Sequence, residues 1–223
     1  GSVDGVGEVL LYGANASGYN HTGLSAATDY YYQVYALNNV PEYSPPSFAT
    51  ATTLCGNITA FPWVEEFASW PPICWSLTNT GGWDWTHYAA AECAEASFWS
   101  HSTGTAQMTT PPIDLGSLTG AKLSFEFCHS AYYMSSYPFD ELEVKIRLYP
   151  SGSWSTLADL IGNLPVGDPN SLNTHNNSSY TTTPNPNGWA MKEIDISAWI
   201  GTVVEIQFDA ITDYGPDLFV DNV

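Results

Sequence analysis

The side chains best suited to bind an ion lie within residues 61–85. Two adjacent carboxylates, Glu65 and Glu66, stand inside an apolar, aromatic run, and Asp84 follows between two tryptophans. A lone carboxylate among aromatic rings is costly to remove from water, so these acids need a cationic partner. The chain of 223 residues contains only four lysines and arginines. Because calcium prefers clustered carboxylate and carbonyl oxygens, we expect a bound calcium ion here.

Two other roles are open to these acids. They could accept hydrogen bonds from backbone amides at strand ends, or form the carboxylate pair of a glycosidase. No second acid pair alternates on an inward face, which argues against catalysis. Glu141 and Glu143 do alternate, but they share their face with Lys145 and Arg147. We interpret that face as solvated, with cross-strand ion pairs.

No nucleophile is evident in the sequence. The five histidines are scattered without metal-ligand spacing, and the usual zinc-protease, serine-hydrolase and nucleotide-binding motifs are missing. Cysteine–histidine catalysis would need a reduced, activated thiol, and no residue suggests one. We therefore predict a protein that is not an enzyme.

Composition excludes several classes of partner. The formal charge of −19 and pI of 4.1 argue against nucleic acid and anionic membrane surfaces, which attract Lys-rich and Arg-rich proteins. No apolar run approaches the ~20 residues that span a bilayer. An acidic, aromatic-rich chain with so few lysines is typical of extracellular proteins. We expect it to be secreted or attached to the cell surface.

Four cysteines allow three pairings. None lies in a C-x-x-C motif, so zinc and thioredoxin chemistry are disfavoured. In an oxidising compartment, two disulfides are expected. The cysteines are Cys55, Cys74, Cys93 and Cys128.

The spacing of apolar residues predicts an all-β chain of two domains, residues 1–53 and 54–223. Residues 30–37 alternate clearly, and a last strand of the first domain covers 48–53. One short helix is predicted at 154–164 and a long loop at 165–188. Many strands with Gly/Pro-rich turns indicate a β-sandwich or jelly roll. Strands of the second domain are predicted at 122–128, 142–149, 193–196, 203–208 and 218–223.

The first domain resembles the second half of a fibronectin type III domain. The residues that carry the likeness are Gly23, Leu24, Thr28, Tyr30, Tyr32, Val34 and Ala36. The resemblance implies that Tyr30 is the corner tyrosine whose hydroxyl bonds to the backbone. Because only about half of such a sandwich is here, its sheet edge must be covered by the following domain or by further chain.

The second domain resembles the MAM and cleaved-adhesin group, which includes choice-of-anchor J and gingipain adhesin-like domains. The resemblance implies a jelly-roll β-sandwich of the galactose-binding or concanavalin-like type. Its motifs are, in order, Glu65-Glu66-Phe67, Trp70-Pro-Pro, Cys74-Trp75, the W-D-W element at 83–85, Thr110-Pro-Pro-Ile-Asp-Leu115, Asp140-Glu-Leu142-Glu-Val144, the I-D-I-S-A-W-I-G run at 194–201 and Phe219-Val-Asp221-Asn-Val223.

The same resemblance implies particular site residues. A structural calcium ion would be held by Glu65 or Glu66, by Asp84 and by Asp221. The family often has another acid after the phenylalanine, where this chain has an alanine, so the choice between the two glutamates stays open. The MAM-like spacing around the glutamates implies pairing of Cys55 with Cys74, which leaves Cys93 with Cys128.

The segment 129–139 is the best candidate for binding a larger ligand. It connects two predicted strands, and Tyr132, Tyr133 and Tyr137 are expected to be exposed there, where amphipathic rings bind sugars and proteins well. Alternatively, the loop folds on its own aromatic rings. Six of the nine tryptophans fall within 63–99, and we interpret them as core residues rather than a sugar-stacking platform.

We therefore expect a fragment of a multidomain bacterial protein that binds a glycan or an extracellular protein without chemistry. The alternatives are a structural spacer or assembly subunit of a surface appendage, and an accessory domain of a secreted protease or glycosidase.

Overall fold

The computed structural model describes residues 20–36, 42–131, 140–177 and 182–223. It divides into two compact units, residues 1–56 and 57–223, close to the predicted boundary after residue 53. Within the described residues, no helix has the length and apolar character needed to cross a membrane.

The described residues of the first unit form an antiparallel pair of strands, β1 (Asp29–Val34) and β2 (Ser47–Thr52). Tyr30 and Tyr32 are partly buried on one face of β1, as the alternation predicts. The backbone N–H of Ser25 donates to the hydroxyl oxygen of Tyr30 over 2.8 Å. The expected bond between the corner tyrosine and the backbone is present, while membership of the fibronectin type III family stays a prediction.

The second unit consists of two main antiparallel sheets. The six-stranded sheet has the spatial order β11 (Ser155–Ile161), β10 (Glu141–Leu148), β14 (Val203–Ile211), β6 (Thr105–Thr109) and β3 (Ser76–Asn79), with β7 (Ile113–Asp114) also paired to β14. The five-stranded sheet has the order β13 (Ala190–Asp195), β8 (Lys122–Cys128), β15 (Leu218–Asp221), β5 (Cys93–Ala96) and β4 (Thr86–Tyr88). A short parallel pair joins β9 (Ser130–Ala131) to β12 (His175–Asn176).

The core lies between these two sheets. Alternate residues of β10 and β14 point inward and are fully buried, for example Val144 and Phe208. Phe125 of β8 meets Phe208 edge to face, with ring centroids 5.2 Å apart. Burying such large apolar side chains from both sheets is the main stabilising term of a sandwich. The predicted all-β sandwich is confirmed.

Most predicted strands of the second unit are present, and the predicted helix is wrong. β8 covers residues 122–128 as predicted, but residues 155–161 of the predicted helix form β11. This segment pairs with β10, and Ala158 and Leu160 pack against the core between more exposed neighbours. Pairing with an adjacent strand has overridden a weak local helical preference.

Candidate functional site

Three of the four predicted calcium ligands converge on the outward face of the five-stranded sheet. The backbones of Glu65 and Val223 exchange two hydrogen bonds, of 2.8 and 3.1 Å. This pairing brings the glutamate segment alongside the end of β15, where Asp221 lies. Asp221 stands directly opposite Glu126 of β8, and like charges in that position repel.

These acids have no basic side chain to neutralise them. Burial raises the pKa of Asp221 to about 6, and the charges of three neighbouring glutamates add to this effect. The three are Glu126, Glu66 and Glu65. The side-chain amide of Asn222 donates to Glu126 over 2.8 Å, which satisfies one oxygen without supplying charge. The donor set therefore suits a hard cation.

Asp84, the fourth predicted calcium ligand, is bonded to Asn79 and not to these acids. It is exposed between buried Trp83 and Trp85, and it accepts a 2.9 Å hydrogen bond from Asn79. Among the described residues, no three His, Cys, Asp or Glu side chains are close enough together to ligate a metal ion as they stand. Calcium at these acids stays a prediction.

The cysteines form one disulfide. Cys55 and Cys74 are bonded, as the family resemblance implies. Cys93 and Cys128 are buried free thiols, so the second predicted disulfide is wrong. They lie on β5 and β8, and β15 runs between these strands. Two strand spacings amount to about 10 Å, beyond the ~7 Å limit between Cα atoms of a disulfide.

The predicted ligand residues Tyr132, Tyr133 and Tyr137 lie outside the described residues. The structure does describe the residues on either side of them, namely β9 before and Asp140 after. Asp140 is 1% exposed. Its carboxylate accepts hydrogen bonds from the backbone N–H groups of Asp213, at 2.8 Å, and Gly215, at 3.3 Å. Asp140 therefore fixes the backbone on both sides of Tyr214.

The turn around Tyr214 is closely fitted to Asp140. A Cβ atom on Gly215 would overlap Oδ2 of Asp140, so a residue without a side chain is needed there. Tyr214 itself has a φ of +76°, a left-handed conformation that is costly for an aromatic residue. Strain of this kind is concentrated at functional sites. The ring of Tyr214 is 37% exposed.

A second buried carboxylate holds a second aromatic residue at this end of the sandwich. Asp217 is 1% exposed, and it accepts a 3.0 Å hydrogen bond from the backbone N–H of Trp99. The rings of Trp99 and Tyr214 stack with centroids 5.2 Å apart. Burial raises the pKa of Asp140 and the pKa of Asp217 to about 7 each. We call Trp99 and Tyr214 the aromatic pair.

Beneath the aromatic pair lies a buried histidine. Nδ1 of His129 lies 3.0 Å from the side-chain oxygen of Asn173, and Nε2 lies 3.9 Å from Oδ2 of Asp140. Burial lowers the pKa of His129 to about 4, so the ring is neutral at physiological pH. His129 is therefore a neutral, buried ring between Asn173 and Asp140.

The remaining tryptophans mostly serve the core. Trp75, Trp83 and Trp85 are 8%, 5% and 1% exposed, which confirms their interpretation as core residues. Trp99, the last of the six tryptophans within 63–99, is partly exposed, and its ring contacts that of Tyr214, which is distant in sequence. Sequence reasoning missed the aromatic pair because its partners are over a hundred residues apart. The available signal was an aromatic residue between acids in a Gly/Pro turn, the D-Y-G-P-D run at 213–217.

Comparisons with known proteins give a likeness in fold. No protein-family model matches the chain, and no curated protein is similar to it in sequence. The K3 cleaved adhesin domain of Lys-gingipain from Porphyromonas gingivalis is 18% identical; the match covers 72% of this chain and 95% of that domain, with a TM-score of 0.49. The K1 cleaved adhesin domain of the same protein is 16% identical, with coverages of 72% and 94% and a TM-score of 0.49. A family 22 carbohydrate-binding module from Clostridium thermocellum is 10% identical, with coverages of 72% and 90% and a TM-score of 0.36.

Membership of the cleaved-adhesin group stays a prediction from the sequence motifs. The likeness to MAM and choice-of-anchor J domains stays a prediction. At these identities and TM-scores, the similar structures identify no ligand for this chain.

Proposed function

We propose that this chain is a non-catalytic recognition module of a secreted or surface-attached bacterial protein, and that it binds a glycan. The ligand lies against the aromatic pair, and the sequence assigns Tyr132, Tyr133 and Tyr137 as further binding residues. The observation that supports this function is the way in which the backbones of the aromatic pair are held. Two buried carboxylates, Asp140 and Asp217, hold the backbones of two partly exposed rings.

Burying a carboxylate is unfavourable unless its hydrogen bonds compensate. At this end of the sandwich, the hydrogen bonds of Asp140 and Asp217 fix the backbone at and beside Tyr214 and Trp99. Rings held rigidly lose little entropy when a ligand binds. Aromatic rings with one apolar face and a polar tip suit sugars, which present both C–H and hydroxyl groups. The net charge of −19 favours neutral glycans over acidic ones.

Calcium forms a second part of the proposal. The ion is held by Asp221 with Glu65 or Glu66, beside Glu126, and it supplies the positive charge that this face lacks. Bound there, calcium would join the segment before β3 to the last strand and would have a structural role.

The binding test uses a glycan array followed by isothermal titration calorimetry with the best neutral ligand. Trp99→Ala and Tyr214→Gly are expected to weaken binding about tenfold or more, because a stacked aromatic ring is worth about 1–3 kcal/mol where nucleobases are the ligand and we expect a similar contribution here. Glycine accepts the left-handed backbone at residue 214, so this variant removes the ring without adding strain.

The matched control is Tyr31→Ala, since Tyr31 is 77% exposed on the separate β1–β2 pair. It should bind as the wild type does. Unchanged affinity in both aromatic-pair variants would contradict the site. An array without hits, together with capture of an extracellular protein, would favour the alternative of a protein ligand. Turnover of a glycan would contradict the non-catalytic assignment.

A further inference from the structure

Asn173 sets the hydrogen-bonding state of the buried His129 ring. The side-chain N–H groups of Asn173 donate to the backbone oxygens of Gly162, at 2.6 Å, and Leu164, at 2.8 Å. The side-chain oxygen of Asn173 is therefore the atom that lies 3.0 Å from Nδ1 of His129. Because an amide oxygen only accepts hydrogen bonds, Nδ1 carries the hydrogen of the ring. A neutral imidazole has one N–H group, so Nε2 is left as an acceptor.

Nε2 of His129 faces a second acceptor. It is buried, has no hydrogen-bond partner among the described residues, and lies 3.9 Å from Oδ2 of Asp140, which is too far for a hydrogen bond. The backbone oxygen of Pro216 is a further acceptor near the ring. The backbone N–H groups of Asp213 and Gly215 donate to the other carboxylate oxygen of Asp140, Oδ1. One proton between Nε2 and Oδ2 would therefore satisfy two buried acceptors at once.

The charges around Asp140 favour uptake of that proton. Among the described residues, His129 itself is the only ion-pair partner of Asp140. The charges that act on Asp140 and on Asp217 come from other acids: Asp213 acts on Asp140, and Glu95 and Asp140 act on Asp217. Each makes a further negative charge at this end of the sandwich more costly. A proton from solution lowers this charge without needing a basic side chain.

The proton belongs to the acid rather than to the ring. Burial lowers the pKa of His129 to about 4, and the charge of His175 acts in the same direction. Burial raises the pKa of Asp140 to about 7, above the value of ~3.9 in an unfolded chain. The folded chain therefore holds this proton in acid solution and releases it as the pH rises through about 7. Above that pH, a buried anion faces the lone pair of Nε2.

The carboxylate that takes up the proton also positions Tyr214. Oδ1 of Asp140 holds the backbone on both sides of Tyr214, and the Cα atom of Gly215 lies directly against Oδ2. The carboxylate therefore cannot move away from the ring of His129 without displacing this turn. The left-handed φ of +76° at Tyr214 makes the turn dependent on such bonds. Repulsion that follows loss of the proton is thus relieved by loosening the turn.

We infer that His129 and Asp140 share one buried proton, and that this proton holds the Tyr214 turn, and with it the aromatic pair, in the conformation that binds ligand. The aromatic pair is then a pH-responsive site, which binds more tightly in mildly acidic than in alkaline solution. The effect on the ligand rests on the proposed function, whereas the proton and the turn do not.

The first experiment needs no ligand. NMR of the isotopically labelled chain, from about pH 5 to about pH 9, follows the ring nitrogens of His129, the carboxyl carbon of Asp140 and the exchange protection of the Asp213 and Gly215 amides. We expect a neutral ring with its hydrogen on Nδ1, a carboxyl transition near pH ~7, and lower protection of both amides above it. A carboxyl transition near pH ~4 beside a neutral ring, or a neutral ring with its hydrogen on Nε2, would overturn the shared proton.

Asp140→Asn is the decisive variant, because an amide has the hydrogen-bonding pattern of the protonated acid. Its oxygen can accept from Asp213 and Gly215 while its N–H donates to Nε2 of His129, and it does not titrate. Amide protection at Asp213 and Gly215 should then no longer depend on the transition. Asp217→Asn is the matched control, which removes the other buried carboxylate and should retain the transition. Loss of the transition in Asp217→Asn together with its persistence in Asp140→Asn would overturn the inference.

The second experiment measures glycan binding by isothermal titration calorimetry at about pH 6 and about pH 8. A group with a pKa of about 7 goes from about nine-tenths to about one-tenth protonated over this range, so the affinity should fall about tenfold if only the protonated form binds. Asp140→Asn should bind equally at both pH values. Equal affinities of the wild type at both pH values would overturn the link to recognition. Absence of glycan binding would overturn the proposed function, while the NMR titration would still decide the shared proton.

Discussion

The outward faces of the two sheets both carry carboxylates, but they neutralise them differently. On the six-stranded sheet, Lys145 bridges Glu143 and Asp209, and Arg147 pairs with Glu205 at 2.7 Å. On the five-stranded sheet, Asp221 and Glu126 oppose each other across neighbouring strands with no base between them.

The difference follows from where the four bases of the chain lie. Each sheet carries two of them, Lys145 and Arg147 on β10 and Lys122 and Lys192 on β8 and β13. Lys122 pairs with Glu193 at 2.9 Å, and Lys192 donates to the backbone oxygen of Pro169. None of these bases pairs with Asp221, whose carboxylate accepts a 2.8 Å hydrogen bond from the backbone N–H of Asn222. Carboxylates beside Lys145 or Arg147 form fixed ion pairs. The charge of Asp221, which has no such partner, depends on the pH and on the cations in solution.

The largest expected effect comes from removing the base that serves two acids. Lys145→Met leaves buried Asp209 without a counter-charge, and we expect a loss of about 3 kcal/mol in the free energy of unfolding, at the low end for buried pairs because Lys145 keeps some exposure. Denaturant unfolding measures this loss. Lys122→Met is the control: its pair is 57% and 52% exposed, so its loss should stay below about 0.5 kcal/mol. Equal losses would contradict the comparison.

Calcium should have the next largest effect. A hundredfold excess of calcium over its Kd would stabilise the chain by about 2.7 kcal/mol relative to chelator, measured as a shift in Tm. Asp221→Asn should remove most of this response. Asp84→Asn should leave it unchanged, because Asp84 is bonded to Asn79. Equal melting temperatures with calcium and with chelator would contradict the proposed calcium site. If Asp84→Asn also lost the response to calcium, Asp84 would be a ligand after all.

In chelator, the acids around Asp221 predict a smaller, pH-dependent effect. The pKa of Asp221 is about 6 in the folded chain and ~3.9 when unfolded, so the folded state binds this proton more tightly. The resulting stability is full below pH ~4 and is lost as the pH rises through about 6. Asp221→Asn should therefore gain stability relative to wild type between pH 4.5 and 7.5. Parallel curves for the two proteins would contradict the raised pKa.

The smallest effect concerns the free thiols. Burial raises the pKa of Cys93 to about 12, and the nearby charge of Asp221 adds to the shift. Maleimide should therefore label Cys93 and Cys128 only after unfolding, as measured by mass spectrometry without reductant. Cys55 and Cys74 should stay unlabelled in the same sample. A denatured chain with no reactive thiol would restore the second disulfide.

The sequence predicted those parts of the fold that depend on local pattern. Strict alternation located β8 and most of β10, and the aromatic run was assigned to the core. The segment 154–164 was misassigned because its apolar residues fit a helix as well as a strand. Pairing with β10 makes this segment a strand. No local sequence pattern shows which strand will pair with which.

The candidate sites were predictable only in part. Glu65 and Glu66 suggested an acidic cluster, and Asp221 joined it through the family resemblance. The aromatic pair assembles from segments far apart in sequence, so its residues look unremarkable one at a time. Asp209 likewise occupies an alternating position typical of an exposed acid, yet it is buried and bonded to Lys145 and Gln107 of the two neighbouring strands.

The register of the six-stranded sheet has a consequence for how such a module can diversify. Thr78, Gln107, Asp209, Glu143 and Asp159 stand side by side on five strands and point away from the sandwich interior. Substitutions at the exposed positions Thr78 and Asp159 can change this surface while the packed residues on either side keep their places. Asp209 is constrained, because it is buried and paired with Lys145.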